Sequence, residues 1–239
     1  DQVLLADHHK AQALAQELGC TACTNEEAAQ QSDFLFLGVK PQMMREMLAS
    51  LQPILARRAG QLVLVSMAAG LTISTIREMA GGNYPVIRIM PNTPVQVGEG
   101  MVQYAAEDVP DARLRDFLQA MAKAGRFDAL AEHLIDTGSA VSGCGPAYVC
   151  LFAEALADGG VACGLPRDKA LQYAAQTLAG TARLILESGK HPGQLKDAVC
   201  SPGGSTIQGV RKLEVGGLRG TVLEAVIAAY EKNRELGKQ

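Results

Sequence analysis

The chain has 239 residues, 48% of them apolar, and a formal net charge of −3 at pH 7. That length allows one large domain or two ordinary ones with substantial cores. The small charge, gathered into no block, lacks the footprint of a nucleic-acid binder or a basic membrane-surface protein, so neither partner is expected; a small polar or anionic ligand stays open.

Six cysteines, at 20, 23, 144, 150, 163 and 200, are too sparse for a disulfide scaffold and lie mostly in apolar segments, which fits a reducing cytoplasm. Cys20 and Cys23 have the CxxC spacing, but no second pair or nearby His completes a zinc site, and no metal is expected. The sequence opens on Asp1 without a signal-peptide pattern, and a natural segment is expected to precede it.

From residue 2 to about 102, short apolar runs alternate with helical stretches. "VLLAD" (3–7), "DFLFLGV" (33–39), "QLVLVSM" (61–67) and "PVIRIM" (85–90) have the length and density of buried strands. Helices are predicted over 9–19, 41–51 and 72–80, and the alternation implies a parallel α/β sheet. "GMVQYAA" (100–106) and "GRFDAL" (125–130) read as further strands around a helix over 111–124. No GxGxxG turn follows a strand near the N-terminus. If "VLLAD" is the second strand of a dinucleotide-binding fold, Asp7 stands where an acid holds a ribose hydroxyl; many strands also end in Asp with no ligand.

After about Ile135 the strand signals stop, and helical patterns run through 146–162, 167–188, 206–214 and 219–236. The division is therefore 1–135 for the α/β domain and 136–239 for an all-helical one. The most apolar run, "PAYVCLFAEALADGGVACGLP", is interrupted by Glu154 and Asp158, is too short to cross a bilayer, and reads as a core helix. Three loops after predicted strands, "GVKPQ", "SMAAGLT" and "IMPNTPV", are rich in small residues and Pro. In open parallel sheets ligands sit beyond the carboxyl ends of strands, so such loops form one crevice wall; equally, Pro41, Pro91 and Pro94 stop strands and start helices. "SPGGST" (201–206) sits where a helix begins. Free amides at a helix start, unobstructed by glycines, make an anion site; the bland reading is a turn followed by an ordinary N-cap. "SGCGPAY" (142–148) is open between a ligand loop and a packing corner. His8, His9, His133 and His191 stand in no constellation with a nucleophile and read as surface or packing residues.

"HPGQLKDAVCSPGGSTIQGVRKLE" resembles, almost residue for residue, the signature of the pyrroline-5-carboxylate reductases. "VKPQ", "SMAAG", "MPNTP", "SGCGPAYV" and "GGVACGLPR" occur in that family's order and spacing, so the resemblance spans the chain from Gln2 onward. It implies a Rossmann-type domain for NADPH or NADH, here without its first strand and glycine turn, followed by a helical dimerisation domain. Dimers of this family often assemble into rings of five, with each site between the domains and completed by partner helices. The implied reaction is hydride transfer to the C=N bond of 1-pyrroline-5-carboxylate, giving L-proline, the last step of proline biosynthesis. Asn25, Val39, Lys40, Pro41, Ala68 and Ala69 match cofactor contacts, with Asn92 beside the nicotinamide. Ser201, Gly204, Ser205 and Thr206 match the substrate cradle, Thr206 reaching the ring nitrogen, and Glu132 matches a position near the ligand. Cys144 and Ala198 depart from the family's commoner Ser and Asn, which bears on affinity. Without the glycine turn, weak dinucleotide binding is expected. The alternatives are a related imine or hydroxy-acid reductase and a non-catalytic helical assembly module.

Overall fold

The computed structural model describes residues 2–58, 60 and 62–236. Its α/β part runs β1 (Leu4–Leu5), α1 (Ala11–Leu18), β2 (Thr21–Ala22), α2 (Asn25–Gln31), β3 (Phe34–Leu37), α3 (Pro41–Arg57), β4 (Val63–Ser66), α4 (Ile73–Ala80), β5 (Val86–Met90), β6 (Gly100–Glu107), α5 (Asp111–Ala120) and β7 (Gly125–Ala129). Every strand predicted from the sequence is present, all shortened at their ends except β6, which extends one residue further to Glu107; Gln61, the first residue of one of them, lies outside the described residues.

The strands form two sheets, a parallel pair β1-β2 and a five-stranded sheet in the order β3-β4-β5-β6-β7. Within the larger sheet β3, β4 and β5 are parallel, whereas β6 runs antiparallel to β5 and β7 parallel to β6. The sheet is mainly parallel, as expected, and turns antiparallel only at β5–β6, where residues 91–99 are too few for a crossover, which needs roughly a dozen. Alternation divides the sheet into two apolar faces. Leu35, Leu37, Leu64, Val86 and Met90 pack against α2, α3 and α4; Val63, Val65, Ile87 and Ile89 pack with Phe117 of α5 on the other side. Strands buried on both faces carry near-continuous apolar runs, as "VIRIM" does apart from its arginine.

The helices that follow are α6 (Ile135–Ser142), α7 (Gly145–Ala162), α8 (Arg167–Ser188), α9 (Pro192–Ala198), α10 (Ser205–Val215) and α11 (Leu218–Leu236). The chain divides into two compact units, one comprising the residues up to Gly143 together with those from Ala229 onward, the other Cys144–Ala228. The helical unit has a small core of its own, where α7 and α8 meet through Ala157, Ala170 and Ala174. The reading of α7 as a core helix is corrected here: Ala157 is its one buried residue among those described, and Val149, Leu151 and Leu156 are exposed. The expectation that this segment is too short to cross a bilayer is corrected as well: the helical run Glu132–Ala162 has, by length and composition alone, what a membrane span needs, and little of it is buried within the chain. An exposed apolar face of this extent marks an interaction surface.

Candidate active site

The cofactor-side residues taken from the sequence all lie just beyond the carboxyl ends of parallel strands. Asp7 follows β1, Asn25 follows β2 as the first residue of α2, Val39–Pro41 follow β3, and Ala68 and Ala69 follow β4. Lys40 and Pro41 are exposed at the start of α3, which no side chain caps. Ala68 is buried, its amide in a long 3.4 Å hydrogen bond to Ser66 Oγ, while Ala69 is exposed. Asp7 Oδ1 accepts the amides of His9 (2.9 Å) and Lys10 (2.7 Å). Those two bonds hold its carboxyl below the ordinary range.

Asn92 begins the connection after β5 and has both ends of its amide engaged. Its Oδ1 accepts from Met101 N (2.9 Å) and its Nδ2 donates to Ser142 O (3.0 Å). Gln103 Nε2 donates to Ser142 Oγ at 2.7 Å, so β5, β6 and α6 are tied together by amide side chains. Glu132, expected near the substrate, has its carboxylate engaged within the α/β unit: Oε1 accepts from Ile73 N at 2.6 Å and lies 3.5 Å from Arg88 Nη1.

Arg88 was not singled out by the sequence reading. It sits in β5 with 2% exposure, its Nη2 donating to Asp136 Oδ1 at 2.7 Å. Its register neighbours are Ser66 and Ala105, whose small side chains leave room for the guanidinium. Two signals in the sequence point to it: one charge inside an apolar strand, and two acids, Glu132 and Asp136, four residues apart.

In the helical unit, "SPGG" is a turn. Gly204 N donates to Ser201 O at 3.0 Å, Pro202 occupies the second position, and Gly203 has φ +71°. Pro followed by a positive-φ glycine is the type II pattern. Gly204 is the N-cap of α10 and no side chain caps the helix, so the opening amides at Ser205 and Thr206 are available to a ligand. A Cβ on Gly204 would collide with Ser201 Oγ. Ser201, Ser205 and Thr206 are exposed around this helix start.

Small-residue loops at the carboxyl edge of a parallel sheet, followed by a helical unit with uncovered apolar faces, define a dinucleotide-dependent oxidoreductase that self-associates through its helices. Residues 132–236 match the family described as pyrroline-5-carboxylate reductase dimerisation, and residues 2–70 match NADP oxidoreductase, coenzyme F420-dependent. The chain is similar to the pyrroline-5-carboxylate reductase of Synechocystis sp., 46% identical over 219 residues, 90% of this chain and 79% of that one. To the enzyme of Glycine max it is 44% identical over 214 residues, 89% of this chain and 77% of that one. The crystal structure of Plasmodium falciparum pyrroline carboxylate reductase with NADP bound matches with a TM-score of 0.83 at 35% identity, covering 91% of this chain and 82% of that one. The chain belongs to the pyrroline-5-carboxylate reductase family. Its exposed apolar helix faces belong to a dimerisation domain, and the chain self-associates through it.

Proposed function

We propose that the chain reduces the C=N bond of 1-pyrroline-5-carboxylate to give L-proline, with NADPH or NADH as the reductant, as the last step of proline biosynthesis. The observation that carries this reading is the Ser201–Gly204 turn, which delivers the chain into α10 with no side-chain cap at Gly204. Amides aimed out of a helix start favour a negative charge, and the macrodipole adds to the attraction. The substrate carboxylate docks there, on the amides of Ser205 and Thr206 and the hydroxyls of Ser201 and Ser205. The protonated ring nitrogen donates a hydrogen bond to the Thr206 hydroxyl oxygen. No general acid–base dyad is needed, because a protonated imine is already electrophilic.

The α/β unit fits a dinucleotide in three respects. Asn25, Val39, Lys40, Pro41, Ala68 and Ala69 stand at the carboxyl edge of parallel strands, the start of α3 has no side-chain cap, and Gly38 has open space where a Cβ would stand. When bound, NADPH or NADH supplies the hydride. The chain's residues bind and orient: Lys40 offers a cation at the edge, Ala69 lets a flat ring approach the backbone, and Asn92 fixes the β5 connection against α6. Precise alignment, rather than proton chemistry, is what this protein contributes.

In the same reading the chain forms homodimers that assemble into rings of five, works in the cytoplasm, and has no nucleic-acid or membrane partner. The exposed Leu151, Leu156, Leu184 and Leu223 support an extensive protein contact. The test is to follow oxidation of NADPH and of NADH by purified protein on adding the imine, with L-proline identified by chiral chromatography. Proline formed with at least one cofactor is expected; no proline with either overturns the reading.

A further inference from the structure

Resting on the reading that Ala68 and Ala69 face the cofactor, we infer that the buried Arg88 and the half-buried Glu132 and Asp136 form a clamp that positions the β4–α4 loop, and that Glu132 serves the cofactor side of the reaction as a positioning residue. The loop between β4 and α4 is anchored at both ends. At its start Ala68 N reaches Ser66 Oγ, and at its close Ile73 N donates 2.6 Å to Glu132 Oε1. Between those amides lie four residues, Ala69, Gly70, Leu71 and Thr72, so short a span that a shift at one anchor is felt along the loop.

The first amides of a helix have no partner within it. In α4 the Thr72 hydroxyl serves Thr75 N, and Ile73 N is served by a carboxylate 59 residues further along the chain. Glu132 is held there from behind: its Oε1 lies 3.5 Å from Arg88 Nη1, and Arg88 is pinned by Asp136 at 2.7 Å. A negative group at a helix start is favourable in itself, and the guanidinium adds to that.

Stability alone is a poor reason for this arrangement. Arg88 Nε is buried without a hydrogen-bond partner, and apolar residues of similar volume commonly match or exceed a buried ion pair in stability. What apolar residues cannot do is fix one carboxylate oxygen against one amide. The clamp therefore works through geometry, and its effect falls on the loop that borders the cofactor.

The experiment compares Glu132→Ala, Glu132→Asp and Glu132→Gln in the full chain, by hydrogen exchange at residues 68–73 and by separate KM values for NADPH and for the imine. Glu132→Ala deletes the acceptor and Glu132→Asp withdraws it by one methylene. Both are expected to speed exchange at Ile73 and to raise the NADPH KM by about tenfold, the scale of a lost charge-assisted hydrogen bond, while the imine KM moves by less than about twofold. Glu132→Gln keeps an acceptor for Ile73 N and is expected to hold both readouts within about threefold of the parent. Unchanged exchange in the Ala and Asp variants, or a rise that falls on the imine KM instead, overturns the clamp. If the parent itself turned over no imine, the functional reading would fall. The clamp would then be judged by exchange and by NADPH fluorescence titration, where faster exchange with weaker binding supports it and unchanged values overturn it.

Discussion

Gly204 N donates to Ser201 O at 3.0 Å, and the space beside Gly204 Cα is filled by Ser201 Oγ. The turn therefore uses its two glycines for different reasons. Gly203 supplies a φ of +71°, and Gly204 leaves the Ser201 hydroxyl where it stands.

Replacing each glycine separates stability from binding. Gly203→Ala carries a side chain into the left-handed region and is expected to cost about 1 to 2 kcal/mol, read as a lower Tm. Gly204→Ala pushes mainly against the rotatable Ser201 hydroxyl and more lightly against the Ser201 carbonyl oxygen at 3.2 Å, so it is expected to lower Tm less than Gly203→Ala while raising the imine KM by about tenfold. A Gly204→Ala enzyme with unaltered KM would remove Ser201 and Gly204 from the cradle.

The buried Arg88 depends on Asp136. Removing one partner of such a pair leaves an undercompensated buried charge, typically at a cost of about 3 to 5 kcal/mol. Asp136 is 29% exposed and Glu132 stays nearby, so Asp136→Ala is expected at the low end, about 3 kcal/mol. The check is urea unfolding: the midpoint falls while the slope is unchanged. A midpoint shift worth less than about 1 kcal/mol contradicts the assignment.

Asp7 gives a pH dependence of known sign. The amide of His9, and then that of Lys10, stabilise the ionised carboxylate and lower its pKa in the folded chain. Its contribution is complete above the unfolded value, about 3.9, and is lost as pH falls through the lower folded value. The His9 and Lys10 amide shifts are expected to share one titration step whose midpoint lies below about pH 3.9. A midpoint at or above the ordinary Asp value contradicts the hydrogen bonds.

The fold was legible wherever one signal dominated. β5 announces itself as "PVIRIM", and the helices at 167–188 and 219–236 were placed to within a residue. Helix α2 was passed over although Thr24 and Glu27 form a capping box, a pattern readable as Thr followed three residues later by Glu. Its composition, polar around two alanines, hid it. Strand β6 is legible in "GMVQYAA" but its antiparallel direction is not, because direction is set by the length of the connection, which apolar patterning does not encode.

The site was legible in its loops and less so in its supports. "SPGGST" spells a turn and a helix start in its own residues, so its geometry follows from local rules. The partners of Arg88 and Glu132 do not, because Ile73, Arg88 and Asp136 come together only when β5, α4 and α6 pack. The apolar face of α7 misled for a related reason: hydropathy reports that a helix will be covered, not whether the cover belongs to the same chain.

Steady-state kinetics of imine reduction by Thr206→Ala and Thr206→Ser, at saturating NADPH, test the central claim most directly. The account predicts that Thr206→Ala lowers kcat/KM for the imine by about 1 to 3 kcal/mol, or roughly 5- to 150-fold, and that Thr206→Ser recovers most of the loss. Parent-like kcat/KM in Thr206→Ala would contradict it.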